Sequence, residues 1–207
     1  INERWDHPVV QVTWHDAHAF CEWKGKSLPT EAQWEKAARG SDARPFPWGV
    51  NFDPTRANFC DKGCTSRIRN PEDGNASDGF LGTAPVTSFP TGASPYGALN
   101  MAGNVWEWVN DWYDPNYYSY APDVNPRGAS RVQSYQTRRI VRGGSFASRP
   151  FELLVTNRSY DDPLEWRSFG VGFRCAVSEQ DEALENLQDS QLLQTQTGGI
   201  GVAPAKR

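Results

Sequence analysis

The stretch Tyr96-Gly97-Ala98-Leu99-Asn100-Met101-Ala102-Gly103-Asn104-Val105-Trp106-Glu107-Trp108 decides how this chain reads. Amides and glycines punctuate its first part, and its end alternates apolar with polar side chains, so the pattern predicts turns that feed a strand at 104–108. Asn100, Gly103, Val105 and Glu107 set side-chain oxygens between turn-forming backbone. That is the mixture of hard oxygen ligands which a calcium ion takes at about six to eight positions. The same residues also suit a plain turn, with Asn100 and Asn104 bonding their own backbone and Glu107 a solvated strand charge.

Upstream, Pro8-Val9-Val10-Gln11-Val12 reads as a short strand, and Thr13 with Asp16 reaching back from the third position opens a helix. Ala17, Phe20, Cys21 and Lys24 share a face of that helix, and Gly25 ends it. Thr30 and Gln33 form a second capping box, Trp34, Ala37 and Ala38 make an inner face, and Gly40 stops the helix. From Ser41 onward Gly, Pro, Asn and Asp recur every few positions. Only short strands fit between them, at 84–89, 104–108, 139–142 and 172–177. Beyond Val177 the chain turns Gln- and Glu-rich, with Leu184, Leu187, Leu192 and Leu193 allowing one weak amphipathic helix. The expected organisation is one α+β domain over 1–178 and a polar, mostly mobile tail over 179–207.

Composition excludes several classes of function. The chain has 207 residues, a formal charge of −4, 21 basic and 25 acidic side chains, nine Trp, 18 Gly and 15 Pro. The charges are interspersed, with no basic stripe to follow a nucleic acid backbone. No apolar run exceeds three residues, against roughly 20 for a membrane span. Neither nucleic acid nor membrane insertion is expected. So many tryptophans and glycines suit long loops pinned by large rings.

The four cysteines are Cys21, Cys60, Cys64 and Cys175. Cys60 and Cys64 alone cannot complete a zinc sphere, and a local disulfide is favoured over free thiols. Cys21 and Cys175 would then be the remaining pair, joining the first helix to the last strand and implying an oxidising, extracytoplasmic or secretory compartment. The alternative is two buried, unpaired cysteines acting as small hydrophobes.

Several segments taken in order resemble the formylglycine-generating enzyme family, also called the sulfatase-modifying factor domain. They are Pro8-Val9-Val10-Gln11-Val12-Thr13-Trp14, Lys26-Ser27-Leu28-Pro29-Thr30-Glu31-Ala32-Gln33-Trp34-Glu35, Phe46-Pro47-Trp48-Gly49 and Gly79-Phe80-Leu81-Gly82-Thr83-Ala84-Pro85-Val86. The opening stretch, Arg142-Gly143-Gly144-Ser145-Phe146 and Gly172-Phe173-Arg174-Cys175 complete the series. The resemblance implies a variant of the C-type-lectin fold, α+β with little regular structure, and a further N-terminal portion ahead of the Pro-Val-Val segment. It also implies two calcium sites. One matches Asn100 and Glu107 by side chain with the carbonyls of Gly103 and Val105, and the other matches Asn58 and Asp78 by side chain with the carbonyls of Phe59 and Phe80.

Enzymes of that family oxidise a substrate cysteine with a copper-holding cysteine pair shortly after the Arg-Gly-Gly-Ser segment. Here Ser148 and Leu153 stand about where the pair would be. A serine hydroxyl and a hydrocarbon neither bind soft Cu(I) nor relay electrons through sulfur. Neither copper nor formylglycine chemistry is expected. By the same resemblance, Ser145, Ser148, Leu153, Trp48, Trp106 and Arg158 line a groove for a peptide or small ligand, with Trp112, Tyr113 and Tyr117 nearby. Core and loop filling accounts for the aromatics equally well, and Arg142, Arg158 and Arg174 suit buried cations paired with Asp or Glu as readily as ligand contacts. His15 and His18 share a helix face, where a solvated surface is favoured over a metal site. The sequence lacks a G-x-S-x-G nucleophile elbow.

The favoured reading is a non-catalytic or divergent, calcium-stabilised module that binds a peptide or small ligand in the former active-site groove. The alternatives are a metal-dependent oxidoreductase of the pyoverdine-maturation or sulfoxide-synthase type and, more weakly, a carbohydrate-binding lectin.

Overall fold

The structure, a computed structural model, describes residues 4–62, 64, 77–130 and 137–177. The expected tail over 179–207 and its leucine helix lie outside the described residues. Helix α1 runs Trp14–Trp23 and α2 Glu31–Arg39, each opened by the capping box that its sequence announced: Thr13 with Asp16, and Thr30 with Gln33. Each box satisfies backbone N–H groups that a helix start leaves without partners.

Four strands follow: β1 Trp106–Trp112, β2 Arg139–Arg142, β3 Arg158–Asp161 and β4 Val171–Phe173. They form one sheet in the order β3-β2-β1-β4, with β1 antiparallel to β2 and parallel to β4. The pleat then sorts β1 by parity. Trp106 and Trp108 face a cluster with Trp14, Ala17 and Cys21 of α1. Val109 joins Trp34 and Ala38 of α2, with Met101, Ile140 and Val155. A further cluster of Phe46, Ala57, Phe59, Ala102 and Leu153 lies outside the sheet and both α-helices, Leu153 ending a short 3-10 helix over Pro150–Leu153.

The segments 8–12 and 84–89 are not strands. Gln11 turns left-handed at φ 60° and its N–H reaches Ser168 O, while Phe89 at φ 59° and the turn bond from Ser88 N–H to Pro85 O curl the second segment. The last strand stops at Phe173, and Ala176 instead exchanges two backbone bonds with Ser27. On α1, Trp14, Ala17 and Cys21 are buried, whereas Phe20 and Lys24 turn outward because the face they share reaches the helix edge.

Cystines join Cys21 to Cys175 and Cys60 to Cys64. The first spans 154 residues and in the chain-entropy picture removes about 5 kcal/mol of unfolded-state freedom. Among the described residues no helix is long and apolar enough to cross a membrane.

Between α2 and the sheet lies a buried charge network. Arg142 is 0% exposed and donates to Glu31 Oε1 at 2.5 Å and to Glu35 Oε2 at 2.8 Å, with a further bond to the Val155 carbonyl. Arg158 holds both Glu31 oxygens, through Nε at 2.7 Å and Nη2 at 2.9 Å. Asp111 takes the Glu31 N–H at 2.7 Å. Burial pushes the Asp111 carboxyl up to about 7, the Glu31 N–H bond opposing the rise and the Glu31 charge adding to it.

Two expectations follow from this network. Glu31→Gln leaves Arg142 buried with reduced compensation and lowers unfolding free energy by about 3–5 kcal/mol, to be read from denaturant midpoints at constant slope. From about pH 4 to about 7 folded Asp111 keeps a proton that the unfolded chain has released, so its contribution to stability declines as pH rises through that window. Asp111→Asn keeps an acceptor for the Glu31 N–H and abolishes the titration. Its stability relative to the parent therefore rises with pH between about 4 and 7, and urea curves that stay parallel across that range would refute the assignment.

Candidate functional site

Asn58 sits under the turn that precedes β1. Its carbonyl accepts the Asn104 N–H at 2.8 Å, and a Cβ at position 103 would lie 2.1 Å from the same oxygen, so Gly103, at φ +78°, is required there by space and by backbone together. Asn58 is fully buried. Its Nδ2 donates to Gly82 O at 2.8 Å and to Asn104 Oδ1 at 3.4 Å, whereas its Oδ1 has no hydrogen-bond partner among the described residues. Next to it, Asp78 accepts the N–H groups of Phe59 at 2.9 Å and Phe80 at 2.8 Å, and its own N–H goes to Asp61 Oδ2 at 2.9 Å. Burial raises the Asp78 carboxyl, the two N–H bonds oppose that, and Asp61 adds to the rise.

Asn100 also adopts the left-handed region, at φ 54°. Its Nδ2 donates to Val86 O at 2.7 Å, and its buried Oδ1 likewise lacks a partner among the described residues. Glu107, at 5% exposure, is no solvated strand charge. Trp34 Nε1 donates to Oε2 at 2.7 Å, Arg174 Nε to Oε2 at 2.6 Å and Arg174 Nη2 to Oε1 at 2.6 Å. A carboxylate offers about four acceptor positions, so one remains, on Oε1. Asn100, Val105, Glu107 and Arg174 all line a cavity of about 470 Å³ whose other wall is largely apolar.

A buried amide oxygen without a partner costs free energy comparable to a lost hydrogen bond. Asp78 is bonded to the residue after Asn58, Asn100 and Glu107 line one cavity, and a hard cation accepts amide and carboxylate oxygens alike. Asn58 with Asp78 fits best, since no cation among the described residues is bonded to Asp78; at Asn100 the Arg174 guanidinium already compensates most of Glu107. Among the described residues, no group of three or more His, Cys, Asp and Glu side chains is gathered as a metal site. His15 and His18 pack their rings against Trp14 at 5.1 and 4.6 Å, and His18 Nδ1 lies 3.3 Å from Glu22.

Ser145 and Ser148 are both 4% exposed and bond each other locally. Ser145 N–H reaches Ser148 Oγ at 3.1 Å, and Ser148 N–H reaches Ser145 O at 2.9 Å. Ser148 O also accepts the Cys60 N–H at 2.9 Å. Leu153 is fully buried in the loop cluster on which Trp48 packs. Trp48 stacks on Phe46 at 5.3 Å and lines a separate cavity of about 380 Å³ with Phe52 and Arg56. The structure therefore gathers Ser145, Ser148, Leu153 and Trp48 around one loop cluster. Trp106 lies instead on the Trp108 face of β1, and Arg158 is held by Glu31. Sequence reading missed Trp34 as a donor to Glu107 and Asp61 as the acceptor for Asp78, because neither bond is local. The inward position of Trp34 on α2 was the available signal for the first.

Residues 1–179 match the family model described as sulfatase-modifying factor enzyme 1-like domain. The chain is 42% identical over 181 residues to the formylglycine-generating enzyme of Streptomyces coelicolor, covering 85% of this chain and 54% of that protein. It is 37% identical over 182 residues to the inactive C-alpha-formylglycine-generating enzyme 2 of Bos taurus, covering 85% and 52%. It thus spans about half the length of these relatives. Among solved structures, PvdO from Pseudomonas aeruginosa superposes with a TM-score of 0.62 at 28% identity, over 82% of this chain and 61% of that one. Motif order, sheet and similarity agree, and the chain belongs to the sulfatase-modifying factor, or formylglycine-generating enzyme-like, family.

Proposed function

We infer that this chain is a calcium-stabilised member of the family that does not generate formylglycine and that presents its former active-site surface to a peptide or small ligand. The observation that carries the reading is the state of Ser148 and Leu153. The positions resembling the catalytic pair hold a hydroxyl committed to the Ser145 N–H and a hydrocarbon sealed in the core. Neither supplies a thiolate. Relatives named inactive occur in the same family, at 37% and 36% identity to this chain. The surface above them carries Arg149 stacked on an exposed Phe151 at 5.0 Å, an aromatic and cationic contact of the kind that peptides use. The cystines support residence in an oxidising, extracytoplasmic compartment.

Calcium rests on the partnerless oxygens of Asn58 and Asn100. Asn58 and Asp78, with the carbonyls of Phe59 and Phe80, would hold one ion; Asn100 and Glu107, with those of Gly103 and Val105, the other. The first ion would join the segments at 58–59 and 78–80, and the second would tie the turn at 100–105 to β1.

Incubation with a sulfatase-type cysteine peptide, with or without Cu(I), should leave the peptide unaltered in the mass spectrometer; aldehyde formation overturns the non-catalytic reading. Calcium at about a hundredfold excess over its dissociation constant should stabilise the fold by about 2.7 kcal/mol relative to chelated protein. Asn58→Ala and Asn100→Ala should each reduce that increment. Identical melting with calcium and with chelator overturns the calcium assignment.

A further inference from the structure

The cavity beside Asn100 is not the surface over Ser148: Ser145, Ser148, Leu153 and Trp48 do not line it. At about 470 Å³ it falls within the range of about 300–1,000 Å³ typical of small-molecule sites. Val9, Phe20, Leu99 and Phe173 form apolar wall, with Val9 and Phe20 exposed at its border and Phe20 edge-on to Phe173 at 5.5 Å. Asn100, Glu107 and Arg174 stand on its polar side.

Charge decides what such a cavity accepts. Without an ion, Glu107 and Arg174 compensate each other through the bonds at 2.6 Å. A calcium ion at Asn100 and Glu107 leaves an excess of positive charge beside an apolar wall, which is costly until an anion arrives. Arg174 commits Nε and Nη2 to Glu107 and to Leu99 O, so Nη1 lies outside those bonds. A hard cation and a guanidinium together select a carboxylate. The wall offers a sugar few hydrogen-bonding side chains and offers a hydrocarbon body ordinary burial.

Resting on the calcium reading above, we propose that this cavity is a second ligand site, one that takes a small monocarboxylate with an apolar body. The carboxylate meets the calcium held by Asn100 and Glu107 and the Nη1 of Arg174, and the body lies against Phe20 and Phe173. Free apolar acids and peptide C-termini share this chemistry.

The test is calorimetry on the whole chain. Calcium is titrated first, and then octanoate, octanol, and the peptide acetyl-Gly-Gly-Leu as free acid or as amide are added to calcium-loaded and to chelated protein. At least one carboxylate should bind calcium-loaded protein at least tenfold more tightly than chelated protein, and octanol and the peptide amide should not bind. The tighter of the two acids identifies the source of the ligand. Phe20→Ser, a neutral change at an exposed helix position that removes the aromatic wall, should weaken carboxylate binding at least tenfold while leaving the calcium titration unchanged. Calcium binding without carboxylate binding, carboxylate affinity indifferent to calcium, or an unaffected Phe20→Ser variant each overturns this site and leaves the calcium reading standing. Absence of calcium binding overturns both.

Discussion

The fold depends on the burial of Glu31 and Arg142 against each other. Both are 0% exposed, and neither can be taken from water without the other. Glu31 is the first residue of α2 and Arg142 the last of β2, so the pair fixes the helix on the sheet. Arg158 adds β3 to the same carboxylate, and Asp111 adds β1 through the Glu31 backbone N–H. A carboxylate in the first helical turn also meets the positive end of the helix. Local capping and long-range pairing therefore converge on one residue.

The candidate ion site follows from that docking. Glu107 and Arg142 are direct partners across β1 and β2, yet they do not neutralise each other. Trp34 stands at both, with its ring 5.2 Å from the Arg142 guanidinium and its Nε1 on Glu107. Arg142 is thereby turned toward α2, and Glu107 toward Arg174 and the cavity. The ion pair at the helix and the carboxylate at the cavity are two consequences of one tryptophan, which joins them in a single packed unit.

Where local chemistry dictated structure, the sequence was sufficient. Thr13 with Asp16 and Thr30 with Gln33 are boxes whose partners lie three residues apart, and both helices form where they point. Strand β3 was not legible: Arg158-Ser159-Tyr160-Asp161 carries no apolar alternation, is only half buried along its length, and pairs because Arg158 is anchored on Glu31. The opposite error occurred at 8–12, where an apolar run with β-branched residues is bent by Gln11 into a loop against Ser168. Propensity was overruled by tertiary contact in both cases. At the site, Asn100 and Glu107 stood out by type and spacing, but Glu107's engagement with Trp34 and Arg174 spans 73 and 67 residues and left no local trace.

Ser148 and Leu153 show what holds this part of the family scaffold together. Leu153 fills the loop cluster with Phe46, Ala57, Phe59 and Ala102, and a truncation to cysteine there would open space in a packed core. The Ser148 hydroxyl caps the turn through the Ser145 N–H, and its carbonyl orients Cys60, which is itself cystine-bonded to Cys64. The turn 145–153 is thus tied to the Asn58–Asp78 cluster by backbone bonds that any side chain at 148 would preserve. An exchange at Ser148 leaves those backbone bonds in place, whereas Leu153 fills the core and a Cβ at Gly103 would lie 2.1 Å from the Asn58 carbonyl oxygen. Position 103, in the turn beneath the candidate ion sites, thus admits less change than position 148.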